Sequence, residues 1–147
     1  MGVLFAAILW LAPGLGEPLA QSYAVIVQRE ATARKIDPLL VLALISRESG
    51  FIRTSARKRN YGLMQVRVTR RLHAEYFGEE QRLFDAAVNV RAGVELLSHF
   101  RAYHRRRCGS SGHWWWAHYQ WGYRVRNPGS GNRVNAVYRK LRRRFSE

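Results

Sequence analysis

Eight consecutive apolar residues, Pro38 to Ile45, sit between Asp37 and the polar quartet Ser46-Arg47-Glu48-Ser49. Asp37 is a good N-cap, Pro38 suits the first helical position, and Gly50 can stop the helix just beyond Glu48. The stretch therefore predicts a helix over Pro38 to Ser49. On that helix Glu48 shares a face with Val41, Leu44 and Ile45. An apolar surround disfavours the ionised carboxylate and raises its pKa from a reference of about 4.3, which would make Glu48 a proton donor near neutral pH. The competing reading is a Glu paired with a nearby Arg, because charged groups are seldom buried alone.

At 147 residues with 47% apolar content the chain is one domain's worth with material for a single core. Lys and Arg number 25 against 10 Asp and Glu, a formal net charge of +15. Such a balance points to an anionic partner: nucleic acid, an anionic membrane surface or an anionic wall polymer. Cys108 is the only cysteine, so no intrachain disulfide can form and the fold must rest on packing.

The apolar run from Val3 to Ala12, followed by Pro13, Gly14 and Gly16, reads as an export signal with cleavage after Ala20. It is too short to span a bilayer as a helix. The alternatives are an uncleaved apolar N-terminal anchor or a mis-assigned start codon. Residues 1–20 are thus assigned to the leader and 21–147 to the domain.

From Gln21 the pattern is one of successive helices without a strand of useful length. Tyr23 to Lys35 forms the first and Pro38 to Ser49 the second, followed by a basic loop from Ile52 to Asn60. Gly62 to Val66 reads as a short helical turn, and Thr69 to Phe77 as a helix ended by Gly78. Asp85 caps the longest helix, Ala86 to Arg105, with Val90, Val94, Leu97 and Phe100 on one buried face. A loop from Arg105 to Gly112 precedes a helical aromatic stretch, Trp114 to Trp121. After a turn at Asn127 to Gly131, Asn132 caps a last helix carrying Val134, Val137, Leu141 and Phe145 on one side.

Four blocks in this order resemble the catalytic domain of soluble lytic transglycosylases, members of the lysozyme-like superfamily that cleave peptidoglycan. Ile36-Asp37-Pro38-Leu39-Leu40 running into Glu48-Ser49-Gly50-Phe51 is similar to the family's catalytic helix and its Glu-Ser-x-Phe signature. Asn60-Tyr61-Gly62-Leu63-Met64-Gln65-Val66 is similar to its Gly-Leu-Met-Gln motif. Asn89-Val90-Arg91-Ala92-Gly93-Val94 with Leu97, and His118-Tyr119-Gln120-Trp121-Gly122 with Val125, complete the set. The resemblance covers roughly Ala24 to Leu141, and four blocks at compatible spacing are a specific signal. Two departures stand out: Arg59-Asn60-Tyr61 replaces a small Gly-Ala pair and bears on one cleft wall, and Gln120 replaces the usual Asn and bears on one hydrogen bond. The implied fold is mainly α, a lysozyme-like single domain of about six helices with a substrate cleft.

Ordinary glycoside hydrolysis needs two carboxylates about 5 to 9.5 Å apart. Second candidates are scarce here. Asp37 and Asp85 are committed to capping, Glu75, Glu79 and Glu80 surround a turn, and Glu30 and Glu95 read as surface carboxylates. The resemblance implies a mechanism with one carboxylate: Glu48 protonates the glycosidic oxygen between N-acetylmuramic acid and N-acetylglucosamine, then as carboxylate takes the proton of the muramoyl C6 hydroxyl. Attack of that hydroxyl on C1 closes a 1,6-anhydro ring. Arg47 is expected to point away from the reacting centre.

The substrate-binding set implied by the resemblance is Ser49, Met64, Gln65, Asn89, Tyr119 and Gln120. Tyr119 would hydrogen-bond Glu48, or else be a satisfied core tyrosine. Gln65 would contact an acetamido group over an apolar floor at Met64, although core packing is the stronger role for Met64 by itself. Ser49 would mainly satisfy a free carbonyl at the helix end, and Asn89 would be a hydrogen-bonding residue near the cleft. Some of Trp114, Trp115, Trp116 and Trp121 would face sugar rings and others the core. His104, Cys108, His113 and His118 follow no standard metal-binding pattern, so neither a metal nor an organic cofactor is expected.

The expected partner is a peptidoglycan glycan strand, cut by an exported, monomeric enzyme of the cell envelope. The basic clusters Arg57-Lys58-Arg59, Arg70-Arg71, Arg105-Arg106-Arg107 and Arg139 to Arg144 would adhere to an anionic wall polymer or lipid surface. A hydrolytic muramidase and a non-catalytic peptidoglycan-binding assembly protein are the alternatives. The chain carries no recognised nucleic-acid motif, so specific nucleic-acid binding is not expected.

Overall fold

The computed structural model describes residues 2–109, 112–127 and 129–146. Seven α-helices account for most of it: α1 (Gly2–Leu11), α2 (Glu17–Ala33), α3 (Pro38–Glu48), α4 (His73–Tyr76), α5 (Ala86–Arg107), α6 (Ala117–Trp121) and α7 (Ser130–Phe145). A small sheet, β1 (Ala56–Arg57), β2 (Asn60–Tyr61) and β3 (Val66–Arg67), lies between α3 and α4, and a 3-10 turn spans Glu80–Phe84. The mainly helical, lysozyme-like architecture agrees with the sequence reading.

Every residue of α3 from Leu39 to Ile45 is buried, as a helix without a polar face must be. It packs against α1, α2 and α7, while α5 lies across α2. The Asp37 carboxylate accepts the Leu39 amide at 2.9 Å and so caps α3 as expected. At the other end Gly50 (φ 59°) and Phe51 (φ 68°) are both left-handed, which turns the chain back and drops the Phe51 ring into the core. Glu48 is therefore the last residue of a buried rod. On α5 the Asp85 carboxylate accepts the Val88 amide at 2.9 Å, and Val90, Val94, Leu97 and Phe100 are buried together.

Other boundaries shift. The Trp114 to Trp121 helix shortens to α6, with Trp114 to Trp116 in the approach to it. The Thr69 to Phe77 helix reduces to the single turn α4. Asn132 lies inside α7, where its side chain accepts from the Trp114 indole at 3.2 Å instead of capping. The expected turn at Asn127 to Gly131 includes Pro128, and the loop from Arg105 to Gly112 includes Ser110 and Ser111; these three residues lie outside the described residues.

The sheet was not expected. β2 pairs antiparallel with both neighbours, Arg57 opposite Asn60 and Tyr61 opposite Val66. Lys58 (φ 48°) and Arg59 (φ 65°) form the two-residue turn between β1 and β2, both left-handed as a type I′ hairpin requires. That turn ordinarily advertises itself with Asn-Gly, and strands of two residues are too short to show alternation. Residues 2–20 also take a definite place: α1 buries Leu4, Ala7 and Ile8, and α2 runs without a break through Ala20. Trp10 meets the Phe145 ring edge-on at 6.2 Å.

Candidate active site

Glu48 opens into a cavity of about 310 Å³ bounded by Arg57, Asn60, Gln65, Gln120, Arg133 and its neighbour Arg47. Asn60, Gln65 and Gln120 also line an adjoining cavity of about 440 Å³, which continues past Tyr119 to Trp121 and Tyr123. The shared walls make one cleft with the carboxylate at one end and aromatic rings at the other.

The half-buried Glu48 carboxylate makes no ion pair among the described residues. Its pKa is raised above the ordinary glutamate value because burial penalises the charged form, with Arg57 and then Arg47 pulling it partly back. Arg57 donates to the Glu48 carbonyl at 3.3 Å, which satisfies one of the free carbonyls at the end of α3. Arg47 does not point away as expected. It lines the cleft, because in the last turn of α3 its long stem lies beside Glu48, where a cation also complements the helix dipole.

Gln65 is left-handed (φ 49°), and its amide donates to the Ser55 carbonyl at 3.0 Å and the Gly62 carbonyl at 2.9 Å. Both amide hydrogens are committed, so Gln65 offers the cleft its oxygen only. The Tyr119 hydroxyl donates to the Met64 carbonyl at 2.8 Å and not to Glu48. Burial, and after it the charge of Glu48, pushes the Tyr119 phenol well above its usual range. Having given its one proton to Met64, Tyr119 can meet Glu48 only as an acceptor. Gln120 lies in the wall of both cavities.

Three residues of the implied substrate-binding set turn inward, in the structural roles that the sequence also offers for them. Met64 is fully buried, with its sulfur in the space a Cβ at Gly93 of α5 would need, so it packs the core beneath the cleft. Asn89, fully buried, accepts the Met64 amide at 2.8 Å and donates to the carbonyls of Tyr61 at 2.7 Å and Leu83 at 2.8 Å. It fixes the Gly-Leu-Met-Gln turn to α5 from behind. Gly62 (φ 75°) must be glycine, because a Cβ there would collide with the Asn89 amide and the Leu83 carbonyl. The Ser49 hydroxyl turns back to the Ile45 carbonyl at 3.3 Å and closes the helix end.

Among the tryptophans, Trp121 is exposed and lines the cleft, whereas Trp116 is buried and stacks on Trp114 at 5.0 Å. The sequence does not mark Arg57 and Arg133 as cleft residues, and it marks Asn60 only as part of the Arg59-Asn60-Tyr61 departure at one cleft wall. Asn60 sits where the chain departs from the resembling Gly-Ala pair, so that departure falls on the cleft wall. Glu30 is not a surface carboxylate: it is 7% exposed and ion-paired to Arg29 at 2.8 Å and Arg34 at 3.1 Å. Glu95 pairs with Arg71 at 3.5 Å. Neither cavity that meets Glu48 and Tyr119 is lined by a second carboxylate among the described residues.

The four residues whose spacing predicts no metal site, His104, Cys108, His113 and His118, converge in space, with their candidate ligand atoms all within 4.8 Å of one another.

No curated protein and no solved structure matches the chain. A family model described as "Transglycosylase SLT domain" matches residues 26–119, a span that takes in α3, the sheet, α5 and the start of α6. Since that span exceeds half of the sequence and includes the positions of Glu48, Gln65 and Tyr119, the chain belongs to the transglycosylase SLT domain family, whose activity is lytic transglycosylase-type action on peptidoglycan.

Proposed function

We propose that the protein cleaves the β-1,4 bond between N-acetylmuramic acid and N-acetylglucosamine with Glu48 as acid and then base. The Glu48 proton goes to the glycosidic oxygen, the bond from that oxygen to muramoyl C1 breaks, and the N-acetylglucosamine side leaves as an alcohol. The muramoyl C6 hydroxyl oxygen bonds to C1, and its proton returns to Glu48. The products are a shortened strand and a 1,6-anhydromuramoyl end, and no water is consumed. One group serving both steps needs a proton affinity close to ambient conditions.

The observation that carries this reading is the unpaired, half-buried Glu48 carboxylate with raised proton affinity, set in an open cleft whose lining holds no second carboxylate among the described residues. The Gln65 oxygen suits the N–H of an acetamido group, and the exposed Trp121 ring suits a sugar face in the adjoining part of the cleft. Arg47, Arg57 and Arg133 surround the acid with positive charge, which suits a muramic acid whose lactyl group either is a free carboxylate or carries an acidic stem peptide in amide linkage.

Mass spectrometry of sacculus digests is the test. Anhydromuropeptides are expected; reducing-end muramic acid would mean that water is the nucleophile and the enzyme a hydrolytic muramidase. A non-catalytic binding module predicts that Glu48→Gln and the parent release equally little.

The proposal includes export to the cell envelope and adhesion through the exposed basic clusters, so binding to sacculi should weaken at high ionic strength. The burial of Leu4, Ala7 and Ile8 favours the uncleaved alternative for residues 1–20, because removal after Ala20 would strip α1 from the core. Intact mass of the exported chain decides this: a form beginning at Gln21 overturns retention of α1, and absence from the envelope overturns export.

A further inference from the structure

We propose that His104, Cys108, His113 and His118 form a closed, four-coordinate site for a divalent transition metal of the zinc class, which anchors α6 to the end of α5. His104 and Cys108 lie one helical turn apart on the same face at the end of α5, the second at its C-cap. His113 lies in the approach to α6 and His118 within it. The four side chains thus come from three separate stretches of chain, and no residue among them belongs to the Glu48 cleft.

The three distances measured from His118 match the edges of a tetrahedral site. Zinc–nitrogen bonds of about 2.05 Å and a zinc–sulfur bond of about 2.3 Å place the nitrogens about 3.3 Å apart and nitrogen and sulfur about 3.6 Å apart at tetrahedral angles. His118 Nε2 lies 3.1 Å from His104 Nδ1, 3.3 Å from His113 Nε2 and 3.6 Å from Cys108 Sγ. All the ligand atoms lie within 4.8 Å of one another.

Hydrogen bonding does not account for the convergence. His118 is fully buried, and its Nδ1 lies 2.7 Å from the Gly122 carbonyl oxygen, which can only accept. Nδ1 therefore carries the hydrogen, and Nε2 presents a single lone pair. Three groups crowd that one lone pair, and one donor at most can use it. A cation at their common centre satisfies all of them at once.

The backbone bond to Nδ1 is also the outer-shell support that fixes the tautomer of a metal-bound histidine. Gly122 makes it in a left-handed conformation (φ 70°) that a side chain would strain. The Phe100 ring stacks 6.0 Å from His118 and Tyr103 meets it edge-on at 5.3 Å, which gives the site an aromatic surround.

Donors of one thiolate and three imidazoles favour zinc over magnesium or calcium. Four protein ligands leave no open position, so the ion's role is structural. Tyr119 and Gln120 directly follow His118, so the metal would hold one wall of the cleft. Binding would displace the Cys108 thiol proton and make affinity fall in acid.

The test uses the full chain, purified with its thiol reduced. One equivalent of zinc per chain is expected by elemental analysis after zinc titration and desalting. Cobalt(II) in its place should give the intense visible bands of four-coordinate cobalt together with a thiolate charge-transfer band in the near ultraviolet. Cys108→Ser and His113→Ala should each weaken zinc binding by at least roughly 100-fold, the upper end of what losing an outer-shell partner costs. Chelation should lower the Tm of the parent and leave that of a folded variant unchanged. Substoichiometric zinc after titration, or a cobalt spectrum of six-coordinate type without the thiolate band, would overturn the proposal. The cobalt measurement is made on the parent and so holds even if a variant fails to fold.

Discussion

Glu30 and Glu48 both leave solvent on helices of the same core, and each borders a cavity of similar size, about 400 Å³ beside Glu30 and about 310 Å³ beside Glu48. They differ in what meets the carboxylate. Glu30 takes Arg29 on one oxygen and Arg34 on the other, so its charge is matched where it is buried. Glu48 has arginines in its cavity but none at ion-pair distance among the described residues, and desolvation outweighs them. Size of cavity does not separate the two residues, and the more deeply buried of them is Glu30, not Glu48. Pairing separates them: a matched buried charge holds structure together, and an unmatched one is free to exchange a proton.

The comparison is most easily broken at Glu48. Glu48→Gln should lower the release of anhydromuropeptides by at least about 10²- to 10⁴-fold, the usual scale of general acid–base catalysis, with an unchanged circular dichroism spectrum. Stability should move the other way. Folded Glu48 binds its proton more tightly than the unfolded chain does, so its favourable contribution is present in acid, below about 4.3, and lost as pH rises through the raised folded value. The Gln variant never ionises, and its Tm should exceed that of the parent at neutral pH and converge with it in acid. Equal Tm values at neutral pH would remove the distinction from Glu30.

Glu30→Gln should do the reverse. Denaturant unfolding is expected to show a loss of about 1–3 kcal/mol from the weakened pairs, with cleavage per folded molecule retained. Tyr119→Phe removes the hydrogen bond to the Met64 carbonyl and should cost about 1 kcal/mol in the same measurement. The smallest expected effect is that of Arg57→Ala. Removing the cation that most lowers Glu48's proton affinity should shift the alkaline limb of the pH–rate profile upward; a downward shift would mean that Arg57 does not act on the acid through its charge.

Some of this was legible without coordinates because the signals were local. Asp37, Pro38 and Gly50 bound α3, Asp85 caps α5, and the apolar spacing along α5 and α7 names their buried faces. The sheet was not legible, since Lys58-Arg59 adopts a turn that those residue types rarely signal. Ser49, Met64 and Asn89 fall within the resembling blocks, yet their polar atoms or side chains turn to the protein's own backbone and core. The sequence favours that inward role for Ser49 and Met64; the partners of Asn89 at Tyr61, Met64 and Leu83 come only from packing.

The chain's order of residues determined a buried helix ending in an acid, the family to which it belongs and the positively charged surface, because caps, periodicity and net charge depend on near neighbours. Only the tertiary structure decided that Glu30 is paired while Glu48 is not, that Tyr119 spends its proton on Met64, and that three imidazoles and a thiol meet at one point. Those outcomes depend on distances between segments far apart in sequence, and packing sets such distances.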